Sequence, residues 1–164
     1  MTQLKQYLPI AVVILIAFFL QAVFIFADCK DTPAKAAVKF TKAYYQVDPA
    51  MSELLCKNYL TADNGNVVAQ HILKISRDAR DRGLGLSYMK NTLYHIKAHT
   101  HMTGDATAEV KLTAKRRTSI NPIYELIGRF FLIGKTHRVD VTIPMVKEDS
   151  RWKVCGSFFT LPEV

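Results

Sequence analysis

His95, Lys97, His99 and His101 fall at alternate positions of one segment, so an extended strand would carry all four side chains on one face. Neighbouring imidazoles are metal ligands when a carboxylate or cysteine completes the set. None stands at matching spacing here, and Lys111, Lys115 and Arg117 of the next segment would share the face and repel a divalent cation. The expectation is a basic sheet face holding no metal. Such a face suits an acidic partner surface, lipid phosphates or a second copy of the domain. No nucleic-acid reading motif accompanies it, so nucleic acid is not expected as a partner.

The three cysteines, Cys29, Cys56 and Cys155, are an odd number with no zinc-site spacing. Two readings stay open. Cys29, ahead of the first helix of the polar region, could pair with Cys56 across two antiparallel helices joined at Asp48-Pro49. Otherwise all three are buried free thiols.

The elements that must position these residues begin with an apolar run. Leu8 to Ala27 contains no charge and one polar side chain, Gln21. As a helix it would be about 30 Å long, the thickness of a bilayer's hydrocarbon core. The run exceeds a signal-peptide core, and the expectation is an uncleaved single-pass anchor. Gln21 at mid-span reads as a hydrogen-bonding contact to another helix. The expected layout is a tail over 1–7, the anchor over 8–27, a short linker over 28–31 and one domain over 32–164.

Of 22 Lys and Arg, only Lys5 precedes the anchor, which leaves a domain of net charge +7 (21 against 14 acidic residues). Lysines after the span favour a cytoplasmic domain by the positive-inside count, but Asp28 and Asp31 flank the exit and a folded domain translocates largely regardless of charge. The expected location is the inner (cytoplasmic) membrane with the domain on the periplasmic, exported side. The bilayer surface is then a natural neighbour for the basic domain.

Within the domain, Thr32-Pro33 is a helix start, and Ala36, Phe40, Ala43, Tyr44 and Val47 make one apolar stripe. Asp48-Pro49 predicts a second, short helix with Met51, Leu54, Leu55 and Tyr59 inward. A third is predicted from Asn66 to Arg82, with Val68, Ile72, Ile75 and Ala79 inward and Gly83 as its stop. Then the period changes to two. Strands are predicted over Ser87 to His101, Ala106 to Ala114, His137 to Met145 and Arg151 to Thr160. Helices first and antiparallel hairpins after is an α+β order.

Between the second and third strands lies an insertion far longer than a hairpin turn. In 120–134, Ile123, Leu126, Ile127, Phe130 and Phe131 fall at helical spacing behind Asn121-Pro122. A helix with an aromatic apolar face and a basic border suits membrane-interface or partner contact. The equal alternative is an internal cap on the domain.

The hairpin around HMTGDATAEVKL and the closing pair VTIPMVKEDSRWKVCGSFF, behind two or three helices, resemble the nuclear-transport-factor-2-like superfamily, to which ketosteroid isomerase and scytalone dehydratase belong. The resemblance covers residues 32 to 160. It implies helices packed on a curved antiparallel sheet, leaving a cone-shaped cavity. Enzymes of that superfamily place Asp, His or Tyr in the cavity to move a proton. Here the inward strand positions are Ala, Val, Leu, Ile and Met, and Asp140 has the opposite parity. Tyr44, Tyr45, Tyr59 and Tyr94 could supply hydroxyls to it, although tyrosines on apolar faces are more often core residues with a satisfied tip. The expected cavity is dry and without a base, so no catalytic residue and no cofactor is expected.

The function expected from the sequence is a non-catalytic accessory or scaffold subunit of a bacterial membrane complex, with other subunits, the bilayer or a second copy as partners. A small apolar ligand held in the cone is the first alternative. An isomerase or dehydratase is the second.

Overall fold

A computed structural model describes residues 2–28, 31–60, 66–118 and 136–156, with side chains of the first helix described at 10 and 12–24. The chain divides into two compact units, Met1–Asp31 and Thr32–Val164.

The first unit is one continuous 27-residue helix, α1 (Thr2–Asp28). Its described side chains are exposed, among them Leu15, Phe18, Phe19 and Phe24, and Gln21 is exposed with them. Among the described residues no helix is long and apolar enough to cross a membrane.

In the second unit α2 (Pro33–Tyr45) starts where the capping signal lies, with the Thr32 hydroxyl accepting from the Lys35 N–H at 3.3 Å. It buries Ala36, Ala37, Phe40, Thr41, Ala43 and Tyr44. Its end is a Schellman turn: Val47 N–H donates to the Tyr44 carbonyl and Asp48 N–H to the Ala43 carbonyl. The left-handed position of that turn is held by Val47 (φ 54°), a β-branched residue for which this conformation is strained.

The second predicted helix takes another form. Asp48 caps a 3-10 helix over Pro49–Leu54, accepting from the Ala50 N–H at 2.9 Å. The chain then leaves the helical path because Leu55 bridges in parallel to Val154, and helicity resumes in the short α3 (Lys57–Leu60). Packing of a two-residue edge pairing thus overrides the local helical stripe. Helix α4 (Val67–Asp81) is capped by Asn66, whose side chain accepts from Val68 and Ala69 N–H groups. It ends in a second Schellman turn with Gly83 at φ 67°.

A short 3-10 turn, Leu86–Met89, replaces the start of the first predicted strand. Four strands follow: β1 (Asn91–Met102), β2 (Thr107–Thr118), β3 (His137–Glu148) and β4 (Arg151–Val154). They pair as successive antiparallel neighbours in the order β1-β2-β3-β4. The β3–β4 turn puts both Asp149 and Ser150 at positive φ, the backbone of a two-residue hairpin of the kind that follows right-handed strand twist. Ala108, Val110, Leu112 and Ala114 of β2 face Val139, Ile143 and Met145 of β3 and the buried face of α2. This is the α+β arrangement expected, with helices on one face of an antiparallel sheet.

Cys56 is bonded to Cys155, with Cα atoms 5.5 Å apart at a sequence separation of 99. This corrects the Cys29–Cys56 alternative and the reading of three free thiols. The parallel Leu55–Val154 bridge sets the two segments side by side, and Cys56 N–H donates to the Val154 carbonyl at 3.0 Å. Pairing with the end of β4, not helix-to-helix proximity, therefore positions Cys56. A Lys153 ammonium bonded to the Glu53 carbonyl ties the same segments together.

Candidate functional site

Two surfaces of the second unit carry chemistry. The first is the outer face of the sheet. Residues directly opposite in antiparallel strands share a face, and the register builds cross-strand rows: His99 beside Lys111 and Thr142, Lys97 beside Thr113 and Asp140, Lys115 beside Tyr94 and Arg138. His101 stands beside Glu109, and Arg117 beside Thr92. Lys97, His99, His101, Lys111, Lys115 and Arg138 are exposed, and Arg117 is half-buried.

His95 leaves this ladder. Between Tyr94 and Lys97 β1 advances three residues while β2 advances two, from Lys115 to Thr113. The extra residue makes a bulge, and His95 adopts φ 51° there with its ring edge-on to Tyr94 at 5.3 Å. Register places Lys97, His99, His101, Lys111, Lys115 and Arg117 on one face, with His95 displaced from the common row. Arg138, Glu109 and Asp140 are added to it by register. Arg138 and Asp140 approach only to 3.9 Å across exposed side chains, which leaves the pair weak.

The second surface is a cavity of about 330 Å³ between the helices and the end of the sheet. Tyr44 and Tyr45 come from α2, with Val47 just beyond its end, and His71 and Ile75 come from α4. The ends of the strands close it: Asn91 of β1, Arg116 and Thr118 of β2 and His137 of β3. Arg82, at the cap of α4, Tyr88 and Met89 complete the rim. Arg116 stands directly across from His137 in the sheet, and the Thr118 hydroxyl lies 3.4 Å from Asn91 Oδ1.

No base was expected in the cone, whereas His71 and His137 line this cavity. His71 is buried, 8 % exposed, and stacks on Tyr44 with ring centroids 4.4 Å apart. Tyr45 packs edge-on against Tyr44 at 5.4 Å, and the Arg116 guanidinium lies 5.6 Å from the Tyr45 ring centre. Burial pushes the Tyr45 hydroxyl above its ordinary value, while the charge of Arg116 and a hydrogen bond from it pull the other way. The phenol therefore stays a neutral donor through the physiological range.

Both residues had a signal in the sequence. His71 sits on the stripe of α4, since the buried set is Val68, His71, Ile75 and Ala79. Arg116 continues the inward parity of Ala108, Val110, Leu112 and Ala114 by one step. Of the four tyrosines expected as hydroxyl donors, Tyr44 and Tyr45 line the cavity. Tyr59 packs against the core, and Tyr94 lies on the outer rows, its hydroxyl 2.8 Å from the Thr136 hydroxyl.

Sulfurs of Cys56 and Cys155 and a carboxylate oxygen of Glu148 lie within 4.8 Å of one another. The sulfurs are bonded together, whereas metal binding uses the thiolate. Glu148 instead accepts from the Lys57 N–H, and Lys57 pairs with Asp149 at 2.9 Å. The insertion residues Ile123, Leu126, Ile127, Phe130 and Phe131, and Cys29, lie outside the described residues.

No protein-family description matches the chain, and no curated protein does. Among solved structures it is similar to an NTF-2 like protein of unknown function from Shewanella oneidensis MR-1, at 16% identity and a TM-score of 0.42. The likeness covers 75% of this chain and 94% of that one. That protein has no assigned function, so the chemistry here rests on the residues themselves.

Proposed function

We propose that the protein is a membrane-tethered, non-catalytic accessory or scaffold subunit of a bacterial membrane complex, its nuclear-transport-factor-2-like domain docking on an acidic partner subunit. The observation that carries this reading is the cluster of basic side chains Lys97, His99 and His101 on β1 with Lys111, Lys115 and Arg117 on β2, which outnumber Glu109 and Asp140 on the same face. A surface predominantly of one sign speeds and orients association with a surface of the other. The tether is argued from the uncharged run of Leu8 to Ala27 within α1. The Cys56–Cys155 bond favours the exported side of the cytoplasmic membrane, because structural disulfides persist in oxidising compartments. The insertion stripe ending in Phe130 and Phe131 is the second contact of the proposal, argued from its spacing.

The test is copurification from detergent-solubilised membranes. K111E with K115E reverses two charges on an exposed face, where folding changes stay within about 0.5 kcal/mol. The expected result is loss of the companion protein, and F130S with F131S should release it too. A monodisperse monomer in every case refutes the reading. A self-associated form containing only this chain replaces the partner subunit by a second copy. Protease protection of the domain in sealed vesicles reports its side of the membrane. A second reading, ligand binding in the cavity, is favoured by the polar lining described above.

A further inference from the structure

We propose that His99, His101 and Glu109, on the outer face of the sheet, form a binding site for one divalent transition-metal cation such as zinc. Along the sequence His99 and His101 have no third ligand at matching spacing, because Glu109 lies eight positions beyond His101 and on another strand. Strand register supplies it. His101 stands directly opposite Glu109, and His99 stands opposite Lys111, two residues further along β2. Side chains two apart on a strand share a face about 7 Å from one another, and directly opposite residues stand about 5 Å apart. The three residues therefore form a small triangle on one face, over which two imidazoles and a carboxylate can meet. His95, displaced at the bulge, is not part of it.

All three side chains are exposed, and no side-chain hydrogen bond or ion pair among the described residues engages them elsewhere. Their ligand atoms do not all lie within 4.8 Å of one another, so closing on a cation takes rotamer changes of the kind exposed side chains make freely. Two imidazoles with one carboxylate suit zinc, copper or nickel, whereas magnesium prefers oxygen ligands. A cation held from one side keeps an outward position for water. The basic residues that oppose a metal by composition are spread out by register. Lys115 and Arg117 lie six and eight residues from Glu109 along β2, about 20 and 27 Å away, well beyond a Debye length of about 8 Å. Pro144, on the other side of Glu109, is neutral. Lys97 and Lys111 flank His99, and both are exposed on long stems that carry the ammonium into water. These two lysines weaken the site without filling it.

The inference does not depend on docking through the sheet face, because zinc is measured on the isolated chain. Its test uses the full-length C29S chain in detergent without reductant, which removes the third thiol and keeps the Cys56–Cys155 bond. Zinc chloride and magnesium chloride are the probes, in calorimetric titration at constant ionic strength and in competition with a chromophoric chelator. Zinc is expected to saturate in the micromolar range, and magnesium to show no saturable binding. His99→Ala, His101→Ala and Glu109→Gln should each weaken zinc at least about tenfold, the lower bound known for disturbing even the outer partners of a metal. All three positions are exposed, so Tm should not move in the absence of zinc. Lys111→Gln should tighten zinc a few-fold by removing a like charge beside His99, and His95→Ala should bind as the parent does. Absence of saturable zinc binding, comparable binding of magnesium, zinc affinity unchanged in His101→Ala and Glu109→Gln, or an equal loss in His95→Ala would each overturn the proposal.

Discussion

Breaking the Cys56–Cys155 bond should destabilise the domain by several kcal/mol. The bond closes a loop whose ends are separated by 99 in sequence. Chain entropy for a loop of about 100 residues corresponds to about 4.7 kcal/mol, and measured losses of native disulfides run about 2–5 kcal/mol. The lower part of that range is favoured here, because the Leu55–Val154 bridge and the Lys153–Glu53 contact hold the same two segments together without the sulfurs. At about 3–4 °C per kcal/mol for a domain of this size, a loss of about 3 kcal/mol lowers Tm by about 10 °C. The assay is thermal unfolding of the full chain with and without reductant, alongside C56S with C155S, and C29S as control. Reductant should lower Tm in the parent and in C29S and leave the double serine variant unmoved. Peptide mapping under non-reducing conditions should recover the Cys56 and Cys155 peptides linked. Recovery of a peptide linked through Cys29, or a reductant effect below about 2 °C, would refute the argument.

Two further outcomes are expected from the same preparation. A side chain at Gly156 would overlap the Pro144 ring, so Gly156→Ala should cost about 1–3 kcal/mol in urea unfolding, and combining it with Pro144→Ala should recover most of that loss. The Tyr45 phenol is raised by burial, which favours its neutral form in the folded state. Its contribution to stability is therefore full below the ordinary tyrosine value near 10 and is lost as pH rises through the higher folded value. Ultraviolet titration should show one late-ionising tyrosine that is missing in Tyr45→Phe. In Arg116→Gln it should ionise later still, because the charge that favours the phenolate is gone. A titration unchanged by Tyr45→Phe would remove the assignment.

The readable parts of the fold were those set by local patterning. Thr32-Pro33 and Asn66 mark helix starts through capping, and Gly83 marks a stop through its positive φ. Alternation from Ala108 to Ala114 identifies the buried face of β2. Reading failed where a distant partner decided the outcome. Met51, Leu54 and Leu55 share a helical stripe, yet Leu55 is taken into an edge pairing with Val154, and the segment becomes a 3-10 helix. His95 keeps the parity of its neighbours in sequence and loses it at the bulge. His71 and Arg116 lie on patterned faces, yet a polar residue on an apolar stripe acquires meaning only from what surrounds it.

By itself, the amino-acid sequence determined the α+β order, the apolar N-terminal run and the basic composition of the outer sheet positions. Each depends on periodicity or composition within a short window, which capping, side-chain alternation and hydropathy translate directly into local structure. The tertiary structure alone decided which cysteine faces Cys56 and that two arginines, two histidines and a buried tyrosine meet in one cavity. Both outcomes depend on strand register and helix placement across up to 99 positions of chain, distances over which no local pattern carries information.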